Sequence, residues 1–234
     1  MKHIIAYLTL ALSLAFAFSP LFTEPFTGFA ADQLPYPQID PPIQPAGYAF
    51  AIWGLIYAWL IVSALFGVIA RAGNDAWSAA RTPLIASLAV GVPWLAIANA
   101  SVIWATIAII WMAVFAILAL LRAPKQDRWL FQAPLALYAG WLTAASWVSI
   151  GSGMAGYGIV LGSFGWAITG ILGALVVALL VFRLRPSAPE YFVSIIWALI
   201  GIIVANGSDV AAVSALAALG IAALSAALWL KRQG

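Results

Sequence analysis

Long apolar runs separated by short charged connections set the pattern of this chain. No Asp, Glu, Lys or Arg occurs from residue 82 to 121, nor from 129 to 182. A helix needs about 20 apolar residues to cross the hydrocarbon core of a bilayer, so each of these runs is too long for one crossing and suits two. Charges and turn residues predict eight helices, at about 4–22, 47–70, 83–97, 101–121, 133–150, 157–182 and 189–205, with the last running from a Ser208 or Asp209 cap to residue 230. After the first helix, Pro25, Pro35, Pro37, Pro41, Pro42 and Pro45 predict an extended, stiff connection. Pro93 predicts a kink in the third helix. The cluster Gly151-Ser152-Gly153-Met154-Ala155-Gly156 predicts the break between the fifth and sixth.

Charge adds a direction to this pattern. Lys2 lies before the first helix, and the connections after the second, fourth, sixth and eighth hold Arg71 and Arg81, then Arg122, Lys125 and Arg128, then Arg183 and Arg185, and finally Lys231 and Arg232. The opposite connections carry only Glu24, Asp32, Asp40 and Asp209. By the positive-inside rule this predicts a multi-pass membrane protein with both termini cytoplasmic, for which the bacterial cytoplasmic (inner) membrane is the expected location. The formal charge of +3 then reflects orientation. Nucleic acid as a partner is excluded by the lack of a basic face. With 65% hydrophobic and 7% charged residues the chain lies outside the range of soluble domains. Lys2 and His3 ahead of an apolar run also resemble a secretory signal, whose cleavage would leave seven spans. The run continues through Pro20 to Phe22, so a retained helix is expected.

The apolar spans carry little reactive chemistry. No ionisable residue lies in the middle of any predicted span, which disfavours proton-coupled transport. There is no cysteine and the single histidine is His3, so thiolate or imidazole metal sites, haem ligation and hydrolase triads are not expected, and no obligate cofactor is implied. The chain reads as a binding protein more than an enzyme. What the spans do contain is tryptophan, twelve in 234 residues. Trp77, Trp129 and Trp229 sit beside basic residues and read as headgroup anchors. Trp53, Trp94, Trp104, Trp111, Trp141, Trp147, Trp166 and Trp197 fall within spans or toward their outer ends. Several converging would build a slot for a planar apolar ligand, while facing lipid or packing is the alternative for each. Small residues around Gly158, Gly162, Gly165 and Gly170, and along 211–227, suit close helix approach, with a subunit interface or a pigment or lipid groove as alternatives.

The stretch Pro45-Ala46-Gly47-Tyr48-Ala49-Phe50-Ala51-Ile52-Trp53-Gly54-Leu55-Ile56-Tyr57 resembles the signature of the tryptophan-rich sensory protein family, which includes the translocator proteins, or peripheral benzodiazepine receptors. Pro45, Phe50, Trp53 and Tyr57 are in register, while Ala46 and Tyr48 stand where the family has proline and tryptophan. Tyr138, Trp141 and Ala145 are similar to a second family segment, with Leu137 in place of a proline and Ser149 in place of an asparagine. Trp94 corresponds to a third-helix tryptophan, with Gly91 at the family's asparagine. The resemblance implies an all-α, polytopic membrane helical bundle: a five-helix translocator-like core over 1–150 and a three-helix C-terminal extension over 151–234, packed as one membrane domain. It also implies binding of porphyrins or other flat apolar molecules, carotenoid-like or sterol-like ligands included, in a sensory or regulatory role. The pocket would lie beneath the loop after the first span, walled by Tyr48, Phe50, Trp53, Tyr57, Trp94, Tyr138 and Trp141. The departures at Ala46, Tyr48 and Ser149 leave the ligand open. Alternative readings are an accessory subunit of a pigment-containing or respiratory complex, a small-molecule transporter, and tryptophan-assisted ligand breakdown. The expected partners are a hydrophobic small molecule, the lipid bilayer, and a second copy or a larger membrane complex.

Overall fold

The computed structural model describes residues 1–233, with Gly234 and the side chain of Arg232, one of the ten basic positions, outside the description. The described chain is all helix and connection. The helices are α1 Lys2–Phe18, α2 Ile52–Arg71, α3 Asp75–Ala100, α4 Val102–Arg122, α5 Gln132–Gly156, α6 Ser163–Leu184, α7 Glu190–Asn206 and α8 Ala211–Gln233. One 3-10 turn, Ser19–Phe22, extends α1, and another, Gly47–Ala51, leads into α2. Among the described residues, seven of these helical segments are long and apolar enough to cross a membrane. The remaining helix, α7, is apolar but only 17 residues long.

α5 is the axis of the molecule. Twenty of its 25 residues are buried, because α4, α6, α7 and part of α2 cover it on every side. α1 packs on α2 and α3, and α3 on α4, which closes the first five helices around one interior. α6 and α7 lie against α5, and α8 packs on α7 and α6 as an outer layer. The α5–α7 crossing is close because residue 140 is glycine: a Cβ there would collide with the Tyr191 carbonyl and Ser194 Oγ. The outward faces keep large apolar side chains exposed, such as Leu55, Val62 and Ile69 on α2 and Val176 and Leu180 on α6, which suits contact with lipid.

The end of α5 and the start of α6 differ from the sequence reading through tertiary packing, and the start of α3 through a local cap. α5 runs unbroken through Gly151, Ser152, Gly153 and Gly156, and the break falls at 157–162. Those glycines serve close packing: a Cβ at Gly151 would meet Ile43 at 2.7 Å, and one at Gly156 would meet Leu34 at 2.5 Å. α3 starts at Asp75, eight residues earlier than expected, because the Asn74 side chain caps it by accepting from Trp77 N. Pro83 and Pro93 both lie inside this helix. Arg81 consequently sits two turns within α3 and is buried. It donates to the Gly67 carbonyl (2.7 Å) and the Arg71 carbonyl (3.1 Å) at the C-terminal end of α2, with its guanidinium 5.0 Å from the Trp77 ring. An ionisable group thus lies inside a helix that the sequence reading left free of charge.

The basic residues gather at one end of the bundle. Arg71 makes a two-pronged pair with Asp127 (2.7 and 3.1 Å), Arg128 pairs with Glu190 (2.5 Å) and Lys2 with Asp75 (2.5 Å). Arg185 donates to the Ala123 carbonyl and to Gln132 Oε1, and burial lowers its guanidinium pKa from the ordinary value. Trp77 belongs to this floor and is no headgroup anchor. It is 1% exposed, stacked on Phe131 with centroids 3.8 Å apart, and its Nε1 donates to Asp127 at 3.2 Å. Trp129 and Trp229 are exposed at the same end.

The opposite end is crossed by the proline-rich connection, a strap without regular helix beyond short 3-10 turns. Its polar groups find partners on helix ends. Gln33 donates to the carbonyls of Ala98 (3.0 Å) and Asn99 (2.9 Å), and Tyr36 N to the Gly156 carbonyl (2.9 Å). On α7, Asn206 donates to the Pro42 carbonyl (2.8 Å), the Gly201 carbonyl accepts from Ala46 N (3.0 Å), and Trp197 Nε1 donates to the Ala49 carbonyl (2.9 Å).

Candidate functional site: an aromatic cavity beneath the strap

A cavity of about 300 Å3 opens under this strap, among the first five helices. Its aromatic wall is built from α1, the strap, α2, α3 and α5. Trp53 and Tyr57 are one helical turn apart, so they share a face of α2. Their rings stack with centroids 5.2 Å apart and an interplanar angle of 21°. Phe16 of α1 meets both edge-on, at 5.6 and 5.1 Å. Trp141 of α5 meets Trp53 edge-on at 6.3 Å and Phe50 at 6.1 Å. Across the cavity Trp94 of α3 packs against Phe26 of the strap at 5.2 Å. Ile109 and Met112 of α4, Val148 of α5 and Ala198 of α7 complete the apolar lining.

Five of the seven residues singled out in the sequence, Phe50, Trp53, Tyr57, Trp94 and Trp141, stand together in this wall. Tyr138 is fully buried one layer behind it, within 6.4 Å of Trp53, with its hydroxyl 2.9 Å from Ser87 Oγ. Tyr48 lies elsewhere. The 3-10 turn Gly47–Ala51 turns its ring outward against Trp197, centroids 5.5 Å apart. Phe16, Phe26 and Phe29 were not singled out from sequence, since nothing in an apolar helix or a proline-rich segment marks which phenylalanine turns inward. The other tryptophans have packing or surface roles. Trp104 and Trp111 are exposed on α4, the ring of Trp147 fills the space left by Gly173, and Trp166 Nε1 donates to the Ile159 carbonyl.

Polar groups in the wall are few. Trp94 Nε1 is satisfied by the Ala105 carbonyl at 3.0 Å. Trp141 Nε1 and Ser152 Oγ are buried with no partner among the described residues. Both atoms are sealed within the packing, with essentially no surface open to the cavity, and so remain unsatisfied behind its lining. At the mouth stand Glu24, Gly28 and Gln44. Gln44 Nε2 donates to the Thr27 carbonyl at 2.8 Å, and its side chain crosses the space where a Cβ of Gly28, at φ 133°, would lie. Above the mouth a wider polar hollow holds Asp32, Asp40, Gln33, Gln38 and Asn99. No group of three or more His, Asp or Glu able to hold a metal occurs among the described residues.

Residues 3–230 match the model of a protein family described as TSPO-like protein. The match therefore takes in α6 to α8 as well as the first 150 residues, to which the motif resemblance was confined. No curated protein and no solved structure matches the chain.

Proposed function

As a chain that belongs to the TSPO-like protein family, this is a multi-pass membrane protein without catalytic assignment, and we propose that it binds a planar hydrophobic ligand in the aromatic cavity and serves a sensory or regulatory role. The observation that carries this reading is the cavity itself: five aromatic residues singled out from the sequence meet around one apolar space. A guest of this kind gains from burial of flat apolar surface and from a few directional hydrogen bonds. Tetrapyrrole-like molecules are the leading class by family resemblance. Phe50, Trp53, Tyr57, Trp94 and Trp141 form the contact surface, and Tyr138 supports it from behind. The first five helices form the binding core, and α6–α8 form the extension that buttresses it. The gathered basic residues face the cytoplasm, with eight spans and both termini on that side.

The test is a titration of detergent-purified protein with porphyrins, as free acids and as neutral esters, followed by quenching of tryptophan emission and by ligand absorbance. Replacing Trp53 and Trp141 together by alanine is expected to weaken binding at least about tenfold, given roughly 0.5–1.5 kcal/mol for each aromatic contact beyond its buried area. Unchanged titration curves in the double variant refute this pocket.

A further inference from the structure

We infer that the floor of the bundle is a docking surface for anionic phospholipid, with Arg122, Lys125, Arg183 and Lys231 as the headgroup contacts. This surface lies at the opposite end from the cavity and is independent of it. The acids at the floor, Asp75, Asp127 and Glu190, are already taken by Lys2, Arg71 and Arg128. Arg81 is buried and donates to backbone carbonyls. Arg122, Lys125, Arg183 and Lys231 are exposed and pair with no acid among the described residues. The other acids, Glu24, Asp32, Asp40 and Asp209, belong to the strap and the α7–α8 turn, at the far end. The floor therefore presents uncompensated positive charge.

Local bonds bring these cations together. Arg185 donates to the Ala123 carbonyl and to Gln132 Oε1, which fastens the α6–α7 connection to both ends of the α4–α5 connection. Arg122 and Lys125 flank Ala123, and Arg183 lies two residues before Arg185, so the basic ends of α4 and α6 are joined. α8 packs on α6 and carries Lys231 to the same end. Exposed Trp129, beside Arg128, and exposed Trp229, two residues before Lys231, place the group at headgroup height. Leu180 and Leu184 of α6 and Leu230 of α8 are exposed next to it and offer acyl chains an apolar track. A phosphodiester accepts charge-assisted hydrogen bonds from guanidinium and ammonium donors, and the attraction grows with each Lys or Arg near an anionic surface. A zwitterionic lipid brings the same phosphate with its own ammonium, which these cations repel. The floor thus discriminates by net headgroup charge.

The test is native mass spectrometry of the full chain, stripped of lipid in non-ionic detergent and exposed to equal amounts of phosphatidylglycerol and phosphatidylcholine with identical acyl chains. Phosphatidylglycerol adducts are expected to exceed phosphatidylcholine adducts by about fivefold or more, and the ratio is expected to fall as ammonium acetate is raised. In the Arg122→Gln, Lys125→Gln, Arg183→Gln, Lys231→Gln variant the ratio is expected to drop below about twofold. The Arg122→Lys, Arg183→Lys variant keeps the charge and is expected to keep most of the ratio. Near-equal adducts on the wild type, a ratio indifferent to salt, or the full ratio in the glutamine variant overturns the docking surface. Loss of the ratio in the lysine variant overturns it as well, since charge is then not what is read.

Discussion

The α5–α7 crossing offers a sharp test of the packing argument. In Gly140→Ala the added Cβ lands on the Tyr191 carbonyl oxygen and Ser194 Oγ, with the Tyr191 carbonyl carbon at 3.0 Å. The carbonyl is helix backbone and cannot rotate aside, so α7 has to retreat by about 1 Å to restore ordinary contact. That retreat stretches the Thr143–Tyr191 hydroxyl contact (2.6 Å), the Arg128–Glu190 pair (2.5 Å) and the Ala46–Gly201 backbone bond (3.0 Å). Overpacking costs about 1–3 kcal/mol and each weakened hydrogen bond about 1 kcal/mol. The variant is therefore expected to lose about 2–4 kcal/mol. Gly54→Ala is the matched control. A Cβ at position 54 meets nothing within 4 Å, and alanine is favoured over glycine inside a helix by up to about 1 kcal/mol. Unfolding in mixed micelles with rising SDS, followed by tryptophan emission, measures both. Gly140→Ala unfolding at or above the wild-type midpoint would falsify the close-crossing account.

Further perturbations separate neighbouring roles. Trp77→Ala removes a buried ring stacked on Phe131 and is expected to cost about 3–5 kcal/mol, whereas Trp229→Ala, on the surface, stays within about 0.5 kcal/mol; the same unfolding assay compares them. Arg81→Ala leaves the Gly67 and Arg71 carbonyls without their guanidinium, an expected loss of about 2–4 kcal/mol. Arg81→Lys recovers little of it, because an ammonium does not reproduce the fork that reaches both oxygens; full recovery with lysine contradicts that account. Gln44→Ala removes the side chain crossing the cavity mouth. It is expected to speed both association and release of the neutral porphyrin ester in stopped flow, with Kd changed by less than about threefold.

Much of the architecture is legible in the sequence because lipid imposes a coarse rule, that long uncharged stretches become helices. The eight helices follow from that rule, and the gathering of basic side chains at one end follows from where the stretches stop. Local rules fail where distant residues decide. Gly151, Gly153 and Gly156 look like a flexible break, but in the structure they make room on α5 for Ile43, Val102 and Leu34. Trp77 sits among charges in sequence as an interfacial anchor would, yet its ring is covered by Phe131, a residue 54 positions away. Arg81 follows the polar turn at residues 73–75 and so reads as a loop residue, but there the override is local: the Asn74 cap starts α3 at Asp75 and takes Arg81 two turns into the helix. At the cavity, helical spacing brought Trp53 and Tyr57 together correctly, since both lie on one regular element. Tyr48 precedes the regular helix, where the 3-10 turn resets the direction of each side chain. Phe26 and Phe29 belong to a connection whose path is fixed by Gln33, Tyr36 and Gln44 bonds to other parts of the chain, and no periodicity describes such a path.

The bonds from α7 to the strap divide labour within the chain. All the aromatic rings of the cavity come from residues before 157, so the chemistry of the site is encoded in the first two thirds of the sequence. The carbonyl of Gly201, the amide of Asn206 and the indole of Trp197 supply none of that chemistry, but they hold the roof that covers it. A chain ending at residue 156 would keep every ring and lose these tethers, with Pro42, Ala46 and Ala49 left to water or lipid. The later helices are in this sense a splint for the pocket. Whatever grips them from outside acts on how firmly the roof is shut.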